Sequence, residues 1–297
     1  MSDGEGAWVA EVEGDGDFQD GMPDQDELMN TGEMSEGEWE AEFGDDEEQE
    51  VYEEEIDEDE LLEQMDAMQD PLEVCREIVD PRRMPPNALL DAPTAQLLYD
   101  RGYAVIDNFL DADLAEQLAG QALELDGSGL LRAPHAARDA AQFNLDEDAR
   151  NDVTMWVHAG EYAGTPLGAA IARLTELRSV LSTFVAFHPD NLAEVQLALY
   201  KGGGGRYVRH RDALPAGLAV ENDEYKPRRV TAILYTVADW QDSMGGELRV
   251  FRNRADKEGI AQIAPVAGRL VVFLSGAMDH EVMPAFVPRV ALTAWFH

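Results

Sequence analysis

The sequence predicts an α+β protein whose β part is an antiparallel sandwich or barrel. Before residue 194, apolar side chains recur at helical spacing in several segments. From Glu194 onward the chain changes to short runs rich in β-branched and aromatic residues, separated by Gly, Pro and Asp. Strands that follow helices in this way are typical of the α+β class. The strand candidates are EVQLALY, RYVRH, RVTAILYTV, GELRVF, IAQIAP, RLVVFL and RVALTAWFH.

The N-terminal segment is predicted to be a disordered acidic tail. Residues 1–70 hold 30 Asp and Glu and no Lys or Arg, within a chain of formal net charge −39. A segment that repels itself this strongly and has few aromatic residues cannot offset the entropy of ordering by burial. We therefore expect 1–70 to be a tail, 71–93 a proline-rich linker and 94–297 the folded domain. Removal of residues 1–70 should then leave that domain intact.

Two roles remain open for this tail. It could act only as a solvating segment, or it could bind a basic partner. Between residues 53 and 68, apolar side chains lie at near-helical spacing, so an amphipathic helix could form against such a partner. The acidity of the tail argues against nucleic acid or an anionic membrane as its direct partner.

Two helices and a strand are predicted at the start of the domain. The first helix is capped by Asp91 or Thr94 and is stopped by Gly102. A buried strand at 103–107 follows, and the second helix, 111–125, begins at a capping aspartate.

A polar loop and a third helix come next. Residues 126–151 are polar and irregular, which predicts a surface loop that could cover a site. Thr165 and Pro166 suit the cap and first position of a helix. Its apolar residues, from Leu167 to Phe184, predict one packed face.

Composition limits the compartment and the kinds of metal site. Cys75 is the only cysteine, which excludes an intramolecular disulfide and a cysteine-built zinc module. The acidic N-terminus has no secretory or transit signal, and no run of about 18 apolar residues could span a membrane. A cytoplasmic or nuclear location is expected.

Three residues near the C-terminal strands form a candidate metal site. His210 and Asp212 are separated by one residue, so in extended backbone both side chains point to the same face. His280, which follows the strand RLVVFL, supplies a third ligand. Two imidazoles and one carboxylate that leave other coordination positions open are typical of non-haem iron(II) oxygenases. Taken alone, His-x-Asp is a weak motif, and His210 could be an ordinary surface histidine.

Arg289 strengthens the oxygenase interpretation. It lies nine residues after His280 on the next predicted strand, among apolar neighbours where an unpaired charge would be costly. When the 2-oxo acid end of 2-oxoglutarate chelates iron, its distal carboxylate needs a fixed cation, and a guanidinium binds it through two parallel hydrogen bonds.

From about residue 150 to 297, the sequence resembles the catalytic domain of the hypoxia-inducible-factor prolyl hydroxylases. Several motifs match in the same order. They are YKGGGGRYVRHRD at 200–212, RVTAILY at 229–235, DW at 239–240, GGELRVF at 245–251, HEVMPA at 280–285 and RVALTAW at 289–295. The resemblance implies a double-stranded β-helix of the jelly-roll, cupin-like type over about 194–297, supported by N-terminal helices.

The resemblance also implies roles for individual residues. His210, Asp212 and His280 match the iron ligands, and Arg289 matches the residue that binds the distal carboxylate of 2-oxoglutarate. Four further residues match positions of the cosubstrate pocket or its surroundings, although packing roles remain open for them: Tyr235, Thr293, Leu248 and Tyr200. Three residues match positions near the substrate: Arg150, Asp152 and Trp295.

The function implied is Fe(II)- and 2-oxoglutarate-dependent hydroxylation of prolyl residues in a protein substrate, with O2 as cosubstrate, ascorbate as a candidate reductant and oxygen sensing as a candidate role. Two alternatives remain open. One is an oxygenase for another protein residue or a small molecule, because the loop 213–229 beside the metal is longer than in the family. The other is a non-catalytic binding protein that acts through its acidic tail.

Overall fold

The computed structural model describes residues 58–86, 89–134, 149–158, 160–190, 193–215 and 226–297. Short 3-10 turns lie at Arg76–Ile78, Pro81–Arg83 and Asp242–Met244. The α-helices among these residues are α1 (Glu58–Met68), α2 (Pro71–Cys75), α3 (Ala92–Arg101), α4 (Ala112–Gly127) and α5 (Pro166–Leu181). The strands are β1 (Tyr103–Ile106), β2 (Val153–Trp156), β3 (Ala193–Tyr200), β4 (Gly205–His210), β5 (Val230–Tyr235), β6 (Leu248–Phe251), β7 (Ala261–Ile263), β8 (Leu270–Leu274), β9 (Asp279–Ala285) and β10 (Arg289–Phe296).

The strands form two sheets in which all neighbours are antiparallel. The larger sheet has the order β1-β8-β5-β10-β3-β2, and the smaller has the order β4-β9-β6-β7. From β3 to β10 the chain passes repeatedly between them, so that β3, β5, β8 and β10 lie in one sheet and β4, β6, β7 and β9 in the other. The predicted α+β class with antiparallel sheets is confirmed.

One strand, β9, is absent from the sequence-based prediction. Its sequence, DHEVMPA, is rich in residues that are uncommon in strands. Ion pairs with neighbouring residues offset this low propensity: Asp279 binds Arg209, and Glu281 lies opposite Arg249 at 3.0 Å. Strand β9 lies between β4 and β6 in the smaller sheet, and it carries His280.

The helices begin and end largely where their caps predict. The side chain of Asp91 accepts a hydrogen bond from the Thr94 amide at 2.8 Å, and Gly102 ends α3 with a φ of 78°. Asp111 caps α4 and Thr165 caps α5. On α4, Ala115, Leu118 and Ala122 are buried, whereas Leu123 is 47% exposed.

Helix α4 packs against the larger sheet. Helix α4 contacts α5 and strands β3 and β10. Along β10, four alternate residues belong to the hydrophobic core: Val290, Leu292, Ala294 and Phe296. The intervening residues are therefore directed to the opposite face of the sheet.

The predicted boundary of the domain is wrong for residues 58–93. Helix α1 lies inside the predicted tail, and its Leu62 is 4% exposed. Residues of the predicted linker belong to the hydrophobic core: Leu72, Cys75, Val79, Leu89 and Leu90. Composition predicted disorder here because it treats the acids of this region as unpaired. In the structure, some of them pair with arginines that lie far away in the sequence, such as Arg211 and Arg252.

Three other predictions fall partly or wholly outside the described residues. They are the disorder of residues 1–57, the covering loop over 135–148 and the centre of the long loop at 216–225. Among the helices that the structure does describe, none has the length and apolar character needed to cross a membrane.

Candidate iron and 2-oxoglutarate site

Neighbouring strands bring the three candidate metal ligands together. His210 ends β4 directly opposite His280 on β9, and Asp212 follows two residues later. One ligand atom from each residue lies within 4.8 Å of the others. His210 Nε2 is 3.8 Å from Asp212 Oδ1, and His280 Nε2 is 3.8 Å from Asp212 Oδ2. This cluster matches the open facial arrangement of two histidines and one carboxylate that suits Fe(II).

Hydrogen bonds orient each ligand toward the common centre. Nδ1 of His210 lies 2.9 Å from the Val208 carbonyl, and Nδ1 of His280 lies 3.3 Å from the Met278 carbonyl. A proton on each Nδ1 leaves Nε2 free to bind a metal.

The carboxylate of Asp212 is also held in place. Its Oδ2 accepts hydrogen bonds from the Thr231 hydroxyl at 2.7 Å and the Trp295 indole at 3.0 Å. Oδ1 takes part in neither bond and is therefore available to a metal. The Thr231 hydroxyl also lies 2.8 Å from the Ser275 hydroxyl, so a series of buried hydrogen bonds runs from Ser275 through Thr231 to Asp212.

The protonation states of the cluster suit metal binding. Burial and the adjacent His280 lower the pKa of His210. Burial alone would raise the pKa of Asp212, but the two imidazoles and the Thr231 hydrogen bond lower it. Neutral imidazole and ionised carboxylate are the forms that bind metal ions.

Arg289 forms a buried cationic centre on the first residue of β10. It is 2% exposed, and its Nε donates to the Gly246 carbonyl at 2.8 Å. Its guanidinium carbon lies 5.0 Å from the ring centroids of both Tyr200 and Tyr235. In the part of the chain that the structure describes, no carboxylate forms an ion pair with Arg289.

The Tyr235 hydroxyl supports the same interpretation. It is fully buried and has no hydrogen-bond partner among the described residues. Burial raises the pKa of Tyr235 to about 12, although the Arg289 charge opposes this. A buried hydroxyl and a buried guanidinium that both lack an anionic partner can bind one carboxylate group together. The residues present therefore fit the distal end of 2-oxoglutarate.

One cavity of about 170 Å³ connects the metal cluster with Arg289. It lies between the two sheets, because strands of both contribute to its lining. Eight of the predicted site residues besides Asp212 line it: His210, His280, Arg289, Thr293, Leu248, Tyr200, Trp295 and Arg150. Tyr235 is not among the lining residues and lies next to Arg289. Along β10, Ala291 lines it as well, so the alternate residues from 289 to 295 all face the site.

Arg150 lines the cavity, but Asp152 does not. Two hydrogen bonds of 2.8 and 2.7 Å join the Arg150 guanidinium to the buried Asp152 carboxylate. Arg150 also lies over the ring of Tyr207, at 4.4 Å from its centroid. Any effect of Asp152 on a substrate would therefore pass through Arg150.

The sequence-based prediction missed Tyr207. Its ring stacks on His210 with a centroid distance of 3.8 Å and an interplanar angle of 19°. Strict alternation places residues 207 and 210 on opposite faces of a strand. Between Tyr207 and His210, however, the pairing of β4 with β9 shifts its register. Such an irregularity brings the two side chains to the same face of the strand.

Two further residues, Trp156 and Arg228, line the cavity near Trp295. Trp156 lies 5.6 Å from Trp295 between ring centroids and is 43% exposed. Arg228 lies over the Trp295 ring at 4.2 Å and hydrogen bonds to Glu194. Trp156 ends β2, which pairs with β3 of the larger sheet, and Arg228 lies two residues before β5.

Comparison with known proteins agrees with this geometry. The sequence model of the 2OG-Fe(II) oxygenase superfamily matches residues 195–297, which include the metal cluster and Arg289. A crystal structure of a Pseudomonas putida prolyl-4-hydroxylase is similar, with 31% sequence identity and a TM-score of 0.55 over 69% of this chain and 98% of that one. The chain belongs to the 2OG-Fe(II) oxygenase superfamily. Membership implies Fe(II) as the cofactor and 2-oxoglutarate and O2 as cosubstrates.

Two other relatives place this oxygenase near the prolyl hydroxylases. It is 26% identical, with a TM-score of 0.52, to a Trichoplax adhaerens prolyl hydroxylase in complex with a hypoxia-inducible-factor peptide, covering 68% of this chain and 86% of that one. It is 28% identical to Homo sapiens Egl nine homolog 1 over 198 residues. That match covers 66% of this chain and 43% of the human protein, so the oxygenase spans less than half the length of this relative.

Proposed function

We propose that this oxygenase hydroxylates prolyl residues of a protein substrate, giving 4-hydroxyproline. Fe(II) would be held by His210, Asp212 and His280, and the distal carboxylate of 2-oxoglutarate by Arg289 and Tyr235. The observation that carries the proposal is that one cavity contains both a three-ligand metal cluster and a buried arginine, which among the described residues lacks an acidic partner. When bound, Fe(II) would supply the oxidation in which 2-oxoglutarate loses carbon dioxide and becomes succinate with one oxygen atom of O2, while the other oxygen atom converts an unactivated C–H bond of the substrate to C–OH.

The chain's own residues would divide the remaining tasks. Tyr200, Leu248 and Thr293 line the cavity between the metal cluster and Arg289 and would fix the body of 2-oxoglutarate. The passage of the chain between the two sheets supports the finer assignment of a double-stranded β-helix of the jelly-roll, cupin-like type. Ascorbate would serve as a reductant that keeps the iron in its Fe(II) form.

A protein substrate is favoured by the relatives and by the entrance of the cavity. Two similar structures are named prolyl hydroxylases, and one of them contains a peptide. Here, the paired rings of Trp156 and Trp295 line the cavity, and Arg150 is also part of its lining. Aromatic rings and a fixed guanidinium are suited to hold a proline ring and its backbone carbonyls. Arg150 and Trp295 would contact the substrate, while Asp152 would position Arg150.

The proposal extends to the setting of the enzyme. Because O2 is a cosubstrate, the turnover rate would depend on the O2 concentration. Oxygen sensing is therefore part of the proposal. The acidic residues of 1–57 would bind a basic partner or keep the protein in solution, and a single cysteine fits a reducing cytoplasmic or nuclear compartment.

The test supplies the purified protein with Fe(II), 2-oxoglutarate and a set of proline-bearing peptides. We expect succinate release that depends on the peptide, and a gain of one oxygen atom on proline by mass spectrometry. The variants His210→Ala, Asp212→Ala and His280→Ala should each lose turnover and keep their melting curves, because an open three-ligand site has no spare donor.

Other outcomes would favour the alternatives. Oxygen gained on a different residue, or succinate release driven only by a small molecule, would contradict prolyl hydroxylation and retain the oxygenase assignment. Full activity in any one ligand variant would remove that residue from the ligand set. An absence of metal and 2-oxoglutarate binding would favour a non-catalytic binding protein.

A further inference from the structure

The strands that carry the metal ligands have a second, buried face made of charged residues. Arg209 and Arg211 flank His210 and lie outside the cavity lining. Both contact Asp279, the neighbour of His280: Arg209 Nη2 at 2.9 Å and Arg211 Nε at 2.7 Å. The Asp279 carboxylate is fully buried. One carboxylate therefore links the backbones that carry all three metal ligands.

Helix α1 completes this charged cluster with Asp66. The Asp66 carboxylate accepts two hydrogen bonds from the Arg211 guanidinium, at 2.9 and 2.7 Å, and one from the Arg254 backbone amide at 2.9 Å. The Arg211 side chain is 1% exposed and that of Asp66 is 4% exposed. Leu62, one helical turn earlier, is also buried, so this face of α1 packs against the domain.

The charge balance of the cluster depends on Asp66. Three guanidinium groups converge on Asp279, because Arg254 Nη1 also lies 3.3 Å from it. Without Asp66, Arg211 would share the single Asp279 carboxylate with Arg209 and Arg254. A buried cation that loses one of its anionic partners is strongly unfavourable, so Arg211 would be expected to shift. Arg211 is bonded in sequence to both His210 and Asp212, and a shift of its backbone would move both ligands.

We infer that Asp66 is a positioning residue of the metal site, through which the acidic N-terminal helix α1 fixes the geometry of His210 and Asp212. Asp66 acts through Arg211 and does not touch the reacting atoms. The inference rests on the proposed function only in that the His210, Asp212 and His280 cluster binds the metal. It gives the acidic segment a role inside the enzyme, in addition to any role toward other partners.

The test measures the affinity of the full-length protein for Mn(II), used as a stand-in for Fe(II), by equilibrium titration without 2-oxoglutarate. Asp66→Asn keeps the size of the side chain and removes its charge. We expect it to weaken Mn(II) binding by about tenfold or more, the range typical of residues that orient metal ligands. Asp66→Glu should restore part of the affinity.

Asp70→Asn is the matched control. Asp70 lies on the same segment and pairs with Arg252, but that pair is 57% and 27% exposed and does not touch Arg209, Arg211 or Asp279. The same chemical change there should leave Mn(II) affinity at the parent value. Parent-like affinity in Asp66→Asn would overturn the inference.

A second pair of variants keeps the test decisive if Asp66→Asn does not fold. Arg211→Met removes the guanidinium that Asp66 holds. If Asp66 acts through Arg211, Asp66→Asn added to Arg211→Met should not change Mn(II) affinity further, and a further loss would contradict the inference. Failure of the proposed function has a different signature, because the parent protein would then fail to bind Mn(II) or His280→Ala would bind it equally well.

Discussion

At the scale of single residues, Arg289 has the clearest consequence for binding. Its Nε is already bonded to the Gly246 carbonyl, which fixes the plane of the guanidinium and leaves the other donors for a ligand. A cation so deeply buried without an acidic partner among the described residues would be unfavourable unless an anion arrives from outside the protein. The geometry thus favours a cosubstrate role, which a binding measurement can separate from a purely structural one.

Replacement of Arg289 should therefore act on 2-oxoglutarate. Arg289→Lys keeps the charge but loses two-point binding, and Arg289→Ala loses both, so the apparent KM for 2-oxoglutarate should rise in both and more in the alanine variant. A lost charge-assisted pair in a desolvated site typically costs about 2 to 5 kcal/mol. Succinate release titrated against 2-oxoglutarate, with melting curves alongside, measures the effect. An unchanged 2-oxoglutarate requirement in Arg289→Ala would disprove this role.

A second residue-scale prediction concerns the support of Asp212. Thr231→Val removes the hydroxyl that donates to Asp212 Oδ2 and should weaken Mn(II) binding by about tenfold. Thr236→Val is the matched control, because Thr236 is also buried but donates to the Val290 carbonyl, away from the metal cluster. Thr236→Val loses one buried hydrogen bond and Thr231→Val loses two, to Asp212 and Ser275, so stability should fall by about 1 kcal/mol per bond lost. Equal Mn(II) affinities in the two variants would contradict an orienting role for Thr231.

At the scale of elements, the turn before β6 positions Arg289. Gly246 has a φ of 79°, and a Cβ atom there would lie 2.9 Å from Arg289 Cδ. Gly246→Ala should displace the guanidinium and raise the KM for 2-oxoglutarate. Gly203 controls for backbone strain, because its φ is 68° and its Cβ position is open within 4 Å. Gly203→Ala should lower stability by about 1 kcal/mol and leave the KM unchanged. The same KM shift in both variants would mean that strain, not displacement, is responsible.

The elements also show which features the sequence could predict. Helix caps at Asp91, Asp111 and Thr165 depend on residues within one turn, and their predicted positions are confirmed. The α+β class follows from periodicity, which is equally local. The roles assigned to the metal ligands and to Arg289 stay predictions until binding is measured, although the structure brings these residues to one cavity.

Features that depend on distant partners were not predictable. Strand β9 is stabilised by arginines of β4 and β6, so its own acidic sequence gives no strand signal. Tyr207 reaches His210 because of a register shift that depends on how β4 pairs with β9. The spacing over 53–68 allowed a helix against a basic partner, but it did not show that this helix binds Arg211 of the same chain, which follows Asp66 by 145 residues. In each case the deciding interaction joins residues whose relation appears only in the folded chain.

At the scale of the whole molecule, the acidic residues of 1–70 fall into two groups. Residues 1–57 contain 24 Asp and Glu, and residues 58–70 contain 6, including Asp66 and Asp70. The second group includes two residues that pair with arginines of the smaller sheet and its loops. Composition alone cannot separate the two groups, because both are acidic and lack Lys and Arg.

Two truncations test this division. Removal of residues 1–57 should leave the melting temperature and the Mn(II) affinity close to those of the full chain, because every described contact of Asp66 and Asp70 is kept. Removal of residues 1–70 deletes α1, exposes the surface covered by Leu62 and leaves Arg211 without Asp66. Loss of one partner of a buried ion pair is destabilising by about 3 to 5 kcal/mol, so this shorter protein should melt at a lower temperature and bind Mn(II) more weakly.

Calorimetry and Mn(II) titration on the two truncated proteins and the full chain decide the question. If both truncated proteins matched the full chain, residues 58–70 would belong to the tail, as composition predicts. If both were equally impaired, residues 1–57 would take part in the fold, and the boundary at residue 58 would be wrong.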